Sequence, residues 1–189
     1  PVADFVAVLI VIATASAKQW TIHHLDVKSA FLNGYLDEDI YMSLPREYSL
    51  PNGTACKLKR SIYGLRQAPR AWNKRLTDDL KLSGFQPLIN AESVFSSIID
   101  KSVVYLIIYV DDILVVTASE LALTKAKTLL SELYKIKDLG NAEYFLGVKI
   151  EREHKQVKLT QESYTRGVLD RYGMFESKPT STPMVQSSD

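Results

Sequence analysis

The stretch Ser102 to Thr117, SVVYLIIYVDDILVVT, constrains the fold more than any other. Two very apolar runs, SVVYLIIY and ILVVT, flank the acidic pair Asp111-Asp112. Runs this short and rich in β-branched residues read as strands. Two acids between them belong on a tight hairpin turn, at a sheet edge, with their backbone held by the strand ladder. Asp is a common turn residue, so the pair alone is read as only a turn. A second acid changes that reading. Thr21 to Asp26, TIHHLD, is another short strand, and it ends in Asp26. If the two segments are neighbours in one sheet, Asp26 and Asp111 converge. Carboxylates brought together without Arg or Lys partners repel, and one of them resists ionising. A divalent cation relieves that repulsion. Mg²⁺ takes oxygen ligands, one or two carboxylates completed by waters and substrate phosphates. Two such ions can clamp the attacking and leaving oxygens of phosphoryl transfer. The chemistry suggested is in-line displacement at phosphorus.

The rest of the chain supplies strands with interspersed helices, an α+β pattern rather than a doubly wound one. Pro69 opens a helix whose stripe is Trp72, Leu76, Leu80 and Leu82, ended at Gly84. Strands are expected at Asp37–Met42, Lys57–Tyr63, Ser93–Ile99, Tyr144–Ile150 and Val157–Thr160. Asn33-Gly34 and Asp100-Lys101 are turns, and Pro45 to Gly53 is a loop. Ser119 caps a helix with the stripe Ala122, Ala126, Leu129, Leu130 and Leu133. Gln161 to Tyr172 forms a last helix, and a polar tail begins at Ser177. Phe5 to Ala17 is apolar on every face, so periodicity does not choose between helix and strand. It is too short to span a membrane and has no basic leader, so a buried core segment is preferred to a signal peptide.

Composition excludes some classes. With 46% hydrophobic and 24% charged residues, the chain can bury a core and is not disordered. The single cysteine, Cys56, rules out an internal disulfide and a thiolate zinc site. His23 and His24 are adjacent on a strand, so their rings point to opposite faces and do not readily share a metal. No phosphate-loop or dinucleotide fingerprint and no Ser/His/Asp set is present. The net charge is only +1, so any affinity for nucleic acid needs a local patch. One exists. Residues 57–81 hold Lys57, Lys59, Arg60, Arg66, Arg70, Lys74, Arg75 and Lys81 against Asp78 and Asp79. Such a run is either a solvated face or a track for a phosphate backbone. Within it, Gly64 permits close backbone approach to a ligand and Tyr63 offers a ring for stacking on a base. Trp72 reads as core.

Several long motifs now stand in order: LDVKSAFLNGYLDEDIYMSLP, CKLKRSIYGLRQAPRAWN, LIIYVDDILVV, KDLGNAEYFLGVKIER and LTQESYTRGVLDRYGM, then Thr182-Pro183. Together they resemble the reverse transcriptase of copia-type LTR retrotransposons, over nearly the whole chain. The resemblance implies an RNA-directed DNA polymerase of right-hand fold, with an antiparallel palm sheet and packed helices. Residues 1–36 and 67–150 would be palm, 37–66 part of the fingers, and 151–189 the start of the thumb. Asp26 and Asp111 match the metal ligands, with the Val27 backbone beside the nucleotide's metal, and Asp112 matches their partner acid. Phe31 matches the aromatic gate that excludes a ribose 2′-OH. Tyr63 and Gly64 match the lining of the nucleotide and template pocket. Lys137, with Lys135 nearby, matches a lysine close to the pyrophosphate's proton donor. Phe145, Leu146 and Gly147 match the primer grip, and Lys57, Lys59, Arg60, Arg66 and Arg70 would follow the nucleic acid.

The same resemblance implies two Mg²⁺ ions, with Mn²⁺ as an alternative. It implies dNTPs, an RNA or DNA template with its primer, and the RNase H and integrase regions of a parent polyprotein as partners. No membrane is involved; the setting would be a cytoplasmic virus-like particle, with the nucleus as the alternative. The chain starts at Pro1 as if cut from something longer. The basic segment that precedes this point in the family, and the rest of its thumb, are missing from it. The isolated piece is therefore expected to be weak or inactive, since positioning carries much of the rate of phosphoryl transfer. Ala91-Glu92-Ser93 departs from the family's usual run at a place outside the catalytic motifs. A non-catalytic remnant that binds nucleic acid through residues 57–81 is the competing expectation, and a plain structural fragment is a third.

Overall fold

The computed structural model describes residues 5–44 and 54–181. The expected loop from Pro45 to Gly53, and Thr182-Pro183, lie outside the described residues. The centre is a six-stranded antiparallel sheet. Its strands are β1 (Thr21–Val27), β4 (Gln86–Leu88), β5 (Ala91–Ile99), β6 (Ser102–Tyr109), β7 (Asp112–Thr117) and β8 (Ile136–Asn141), in the order β4-β5-β6-β7-β1-β8. Two short strands, β2 (Tyr41–Ser43) and β3 (Ala55–Lys57), pair with each other. A third sheet holds β9 (Tyr144–Phe145), β10 (Val148–Glu153) and β11 (Gln156–Thr160). The helices are α1 (Phe5–Lys18), α2 (Ala68–Leu82), α3 (Glu120–Leu133) and α4 (Glu162–Arg171).

The central strands are apolar on both faces because both faces are covered. On one face Leu25, Val27, Leu106, Ile108, Ile113 and Val115 pack with Trp72, Leu76 and Leu80 of α2 and Leu123, Ala126 and Leu130 of α3. On the other, Ile22, Ile107, Leu114 and Val116 pack with Val8, Val11, Ile12 and Ala15 of α1 and with Phe145 and Ile150. The buried positions of α1 recur at helical spacing, so tertiary packing settles the helix that periodicity left open. No helix among the described residues is long and apolar enough to cross a membrane.

Most expected elements form. Ser119 caps α3, its Oγ accepting from the Ala122 N–H at 3.2 Å. Others differ. The strand expected over Lys57–Tyr63 is only β3, ending at Lys57, because the chain beyond it turns to bridge Tyr35 through Arg60. Tyr144–Ile150 is two strands folded back on each other, not one. Leu146 and Gly147 both have positive φ, 52° and 76°, as a two-residue type I′ hairpin loop requires. β4 and β8 carry no strand signal: β4 is three residues around Pro87 at a sheet edge, and β8 is a mostly exposed, polar edge strand.

Candidate active site

The acids meet because of strand register. Asp26, near the end of β1, lies opposite Asp112 on one side and Lys137 of β8 on the other. Asp112 in turn lies opposite Tyr109. Residues directly opposite share a sheet face. Lys137, Asp26, Asp112 and Tyr109 thus form one row at the edge of the face whose deeper rows are the apolar core under α1. Asp111 stands beside this row in the two-residue loop Val110-Asp111 between β6 and β7. The strands carrying Asp26 and the Asp111-Asp112 turn are neighbours in one sheet, and Lys137 lies on the same row.

That loop is held under strain. Val110 has φ 55°, whereas Asp111 is not among the positive-φ residues, the pattern of a type II′ turn. A β-branched residue there costs on the order of 1–3 kcal/mol. Two hydrogen bonds from outside the hairpin hold it: the indole Nε1–H of Trp72 donates to the Val110 carbonyl at 2.7 Å. The Val27 N–H donates to the Asp111 carbonyl, also at 2.7 Å. The expectation of Trp72 as core is met, since it is 3% exposed, yet the same side chain also carries a positioning bond.

Phe31 and Tyr63 assemble in front of Asp111. Their ring centroids are 4.6 Å apart at 53°. The Tyr63 hydroxyl donates to Asp111 Oδ2 over 3.4 Å. Partial burial first, then the charge and hydrogen bond of Asp111, push the Tyr63 phenol above its ordinary range, so it stays a donor. Phe31 is carried by a 3-10 turn, Ala30–Asn33, whose position is set from below. The Ser61 hydroxyl donates to the Phe31 carbonyl, and the Ser61 N–H donates to the Gly34 carbonyl at 2.9 Å. A Cβ on Gly34 would come within 2.8 Å of the Trp72 nitrogen, so only glycine lets this turn lie on α2. At Gly64 the reason for glycine differs from close approach: the space around it is open, and its φ of 98° is the constraint.

The basic track divides. Lys57 pairs with Asp39 at 2.6 Å and Lys74 with Asp37 at 3.2 Å. Arg60 donates to the Asn33 carbonyl at 2.8 Å and lies 4.0 Å over the Tyr35 ring, which makes it a clamp on the turn carrying Phe31. Arg75 pairs with the buried Asp79, which also accepts from the Tyr134 hydroxyl. Lys59, Arg66 and Arg70 are exposed, with no ion pair among the described residues, and remain open to a phosphate backbone. Phe145, 4% exposed, anchors the Leu146-Gly147 loop against the core.

Among the described residues neither Asp26 nor Asp111 has an ion-pair partner, and Asp26 has no side-chain hydrogen bond to any of them. No group of three or more His, Cys, Asp or Glu among the described residues is arranged to hold a metal by itself. An all-oxygen pair with no ion-pair partner among the described residues fits the Mg²⁺ habit of taking one or two carboxylates and leaving the other positions to water and phosphate. The two histidines behave as their alternation requires: His23 meets Asp138 at 2.6 Å and His24 meets Asp112 at 2.8 Å. The His24 contact was legible in principle, since His24 and Asp26 share strand parity. The Trp72 and Ser61 bonds have no sequence signal.

The family model for reverse transcriptase (RNA-dependent DNA polymerase) matches residues 1–186. The chain is 38% identical over 190 residues to the retrovirus-related Pol polyprotein from transposon RE1 of Arabidopsis thaliana, covering 99% of this chain and 13% of that protein. It is 36% identical over 190 residues to the one from transposon TNT 1-94 of Nicotiana tabacum, covering 98% of this chain and 14% of that protein. The chain therefore spans only a small part of the polyproteins it matches. With this match over nearly its whole length, and with its paired acids on a β-hairpin, the chain belongs to the reverse transcriptase family, of the copia-type retrotransposon Pol kind.

Proposed function

We propose that this chain is the catalytic core of an RNA-directed DNA polymerase, joining a dNTP to a primer 3′-OH on an RNA or DNA template with release of pyrophosphate. The observation that carries the reading is the row Lys137, Asp26, Asp112 with Asp111 beside it on a strained, externally held hairpin. In this reading residues 1–36 and 67–150 act as palm, 37–66 as part of the fingers and 151–189 as the start of the thumb.

Asp26 and Asp111 would hold two Mg²⁺ ions, or Mn²⁺, with the Val27 backbone alongside. Bound there, the ions would acidify the primer hydroxyl and neutralise charge on the leaving pyrophosphate. Asp112 keeps the local field negative. Phe31 bars a ribose 2′-OH by occupying its space, and Tyr63 presents a ring to the incoming nucleotide. Lys137, on the Asp26 row, supplies a proton toward the pyrophosphate. Phe145, Leu146 and Gly147 hold the primer end. Lys59, Arg66 and Arg70 carry the backbone contacts, with Lys57 joining them by exchanging Asp39 for a phosphate. The RNase H and integrase regions of a parent polyprotein would be its partners in the chain.

The test is primer extension on an RNA template with a DNA primer, in Mg²⁺ and in Mn²⁺, with Asp111→Asn as control. Weak extension by the wild type and none by the variant is the expected result. No extension, with template–primer binding that weakens steeply in salt, would replace this reading with a nucleic-acid-binding remnant. Neither extension nor binding would refute both.

A further inference from the structure

His24 has no role in the site as assembled so far, yet it touches two of its parts. It stands two residues before Asp26 on β1 and so shares its face. Its direct cross-strand partner is Leu114, and Asp112 is the diagonal neighbour, within reach of a long side chain. The imidazole Nε2–H donates to Asp112 Oδ1 at 2.8 Å. An ionised carboxylate only accepts, so the nitrogen must be the donor. The ring's other contact is the Phe145 ring, edge to face, with centroids 6.1 Å apart at 85°. The His24 side chain is 13% exposed and the Asp112 side chain 37%, so the ring is packed while the carboxylate keeps a face open to solvent. Phe145 is itself buried and opens directly into the Leu146-Gly147 loop.

We propose that His24 is a positioning residue that ties the acidic hairpin to the 145–147 hairpin, fixing the distance between the reacting centre and the primer end. The inference rests on the polymerase reading. It assigns two separable jobs to one side chain: the N–H fixes the Asp112 carboxylate, and the ring edge seats Phe145.

Substitutions split the two jobs. His24→Gln keeps a donor and removes the ring; His24→Phe keeps a ring and removes the donor. In steady-state primer extension, His24→Phe is expected to lower kcat by about tenfold, the usual worth of a hydrogen bond to a charged group. His24→Gln should recover kcat to within about twofold and instead raise KM for template–primer several-fold, as Phe145→Leu should. Anisotropy titration with labelled template–primer in EDTA gives a readout independent of turnover. There His24→Gln and Phe145→Leu should weaken binding alike, and His24→Phe should not. Urea unfolding of each variant identifies any that fails to fold; for such a variant, the imidazole ¹⁵N and ring proton shifts of wild-type His24 substitute, expected to move in Asp112→Asn and in Phe145→Leu.

An active wild type with His24→Gln and His24→Phe both unchanged would overturn this inference alone. So would equal losses in kcat and binding for both, which mark a merely structural side chain. A wild type that neither extends nor binds a primer would refute the polymerase reading, and this inference with it.

Discussion

Replacing Trp72 by Phe tests how the acidic hairpin is held. The substitution keeps an aromatic ring in the core and removes the Nε1–H that reaches the Val110 carbonyl at 2.7 Å. A part-buried carbonyl left without its donor costs about 1–3 kcal/mol. Losing one ring of the indole at a site only 3% exposed leaves a small void, about 1–2 kcal/mol more by the usual cost of core truncation. The edge contact with Tyr134, centroids 4.9 Å apart, is within reach of a phenyl ring and is largely kept. The expected loss is therefore about 2–5 kcal/mol, read from urea unfolding midpoints at constant slope. The comparison is Leu76→Ala, equally deep in the core but without a hydrogen bond to the hairpin, which should cost about 2–5 kcal/mol. At a temperature where both variants are folded, Trp72→Phe should extend a primer at least tenfold more slowly, because Val110 relaxes its strained φ and Asp111 moves with it. Leu76→Ala should stay near wild type. Equal activity of the two variants would refute the view that Trp72 positions the hairpin. A stability loss under about 1 kcal/mol for Trp72→Phe would refute the worth assigned to its hydrogen bond.

Other perturbations probe other contacts. Gly34→Ala puts a Cβ 2.7 Å from Ser61 Oγ and 2.8 Å from the backbone nitrogen of Trp72. The latter is helix backbone, so a loss of about 1–3 kcal/mol is expected in thermal unfolding; an unchanged midpoint would show that α2 yields freely. Asp138 should shape the acid limb of stability. Burial alone would raise its carboxyl, but hydrogen bonds from Lys127, the Gly140 N–H and His23 outweigh it and hold the carboxyl well below its ordinary 3.8. A depressed carboxylate contributes stability above its unfolded value and loses it as pH falls toward the folded one. The gap between wild type and Asp138→Asn should thus be full above about pH 4 and close below it; a gap that widens in acid would reverse the assignment. Tyr134→Phe removes the hydroxyl that donates to the buried Asp79 at 2.5 Å and should cost about 1.5–3 kcal/mol in urea unfolding, whereas a double change with Asp79→Leu should cost less than the two separately. Phe31→Ala should raise incorporation of rNTPs relative to dNTPs in single-nucleotide extension; an unchanged ratio would remove Phe31 from sugar selection.

The sequence by itself determined the strands beside Asp111-Asp112, the helices α2 and α3 and their apolar stripes. These are local decisions: β-branched runs, a proline at a first turn, a serine cap. It also named Asp26 and Asp111 as partners, because two apolar strands ending in acids have few uses for them, and the ordered motifs pointed to the family. What the sequence left open is what depends on neighbours. Phe5 to Lys18 is apolar all round, and only packing on the sheet chose a helix for it. β8 has no periodic signal because an exposed edge strand needs none, yet its register is what sets Lys137 opposite Asp26. Lys57 and Arg60 look like any other cations of a basic run until Asp39 and Tyr35 are folded against them. The bonds that hold the hairpin, from Trp72 and Val27, join residues far apart in the chain. Tertiary structure decides them because a hydrogen bond is directional and short, and no spacing along the chain tells which distant donor will arrive within 3 Å of a given carbonyl.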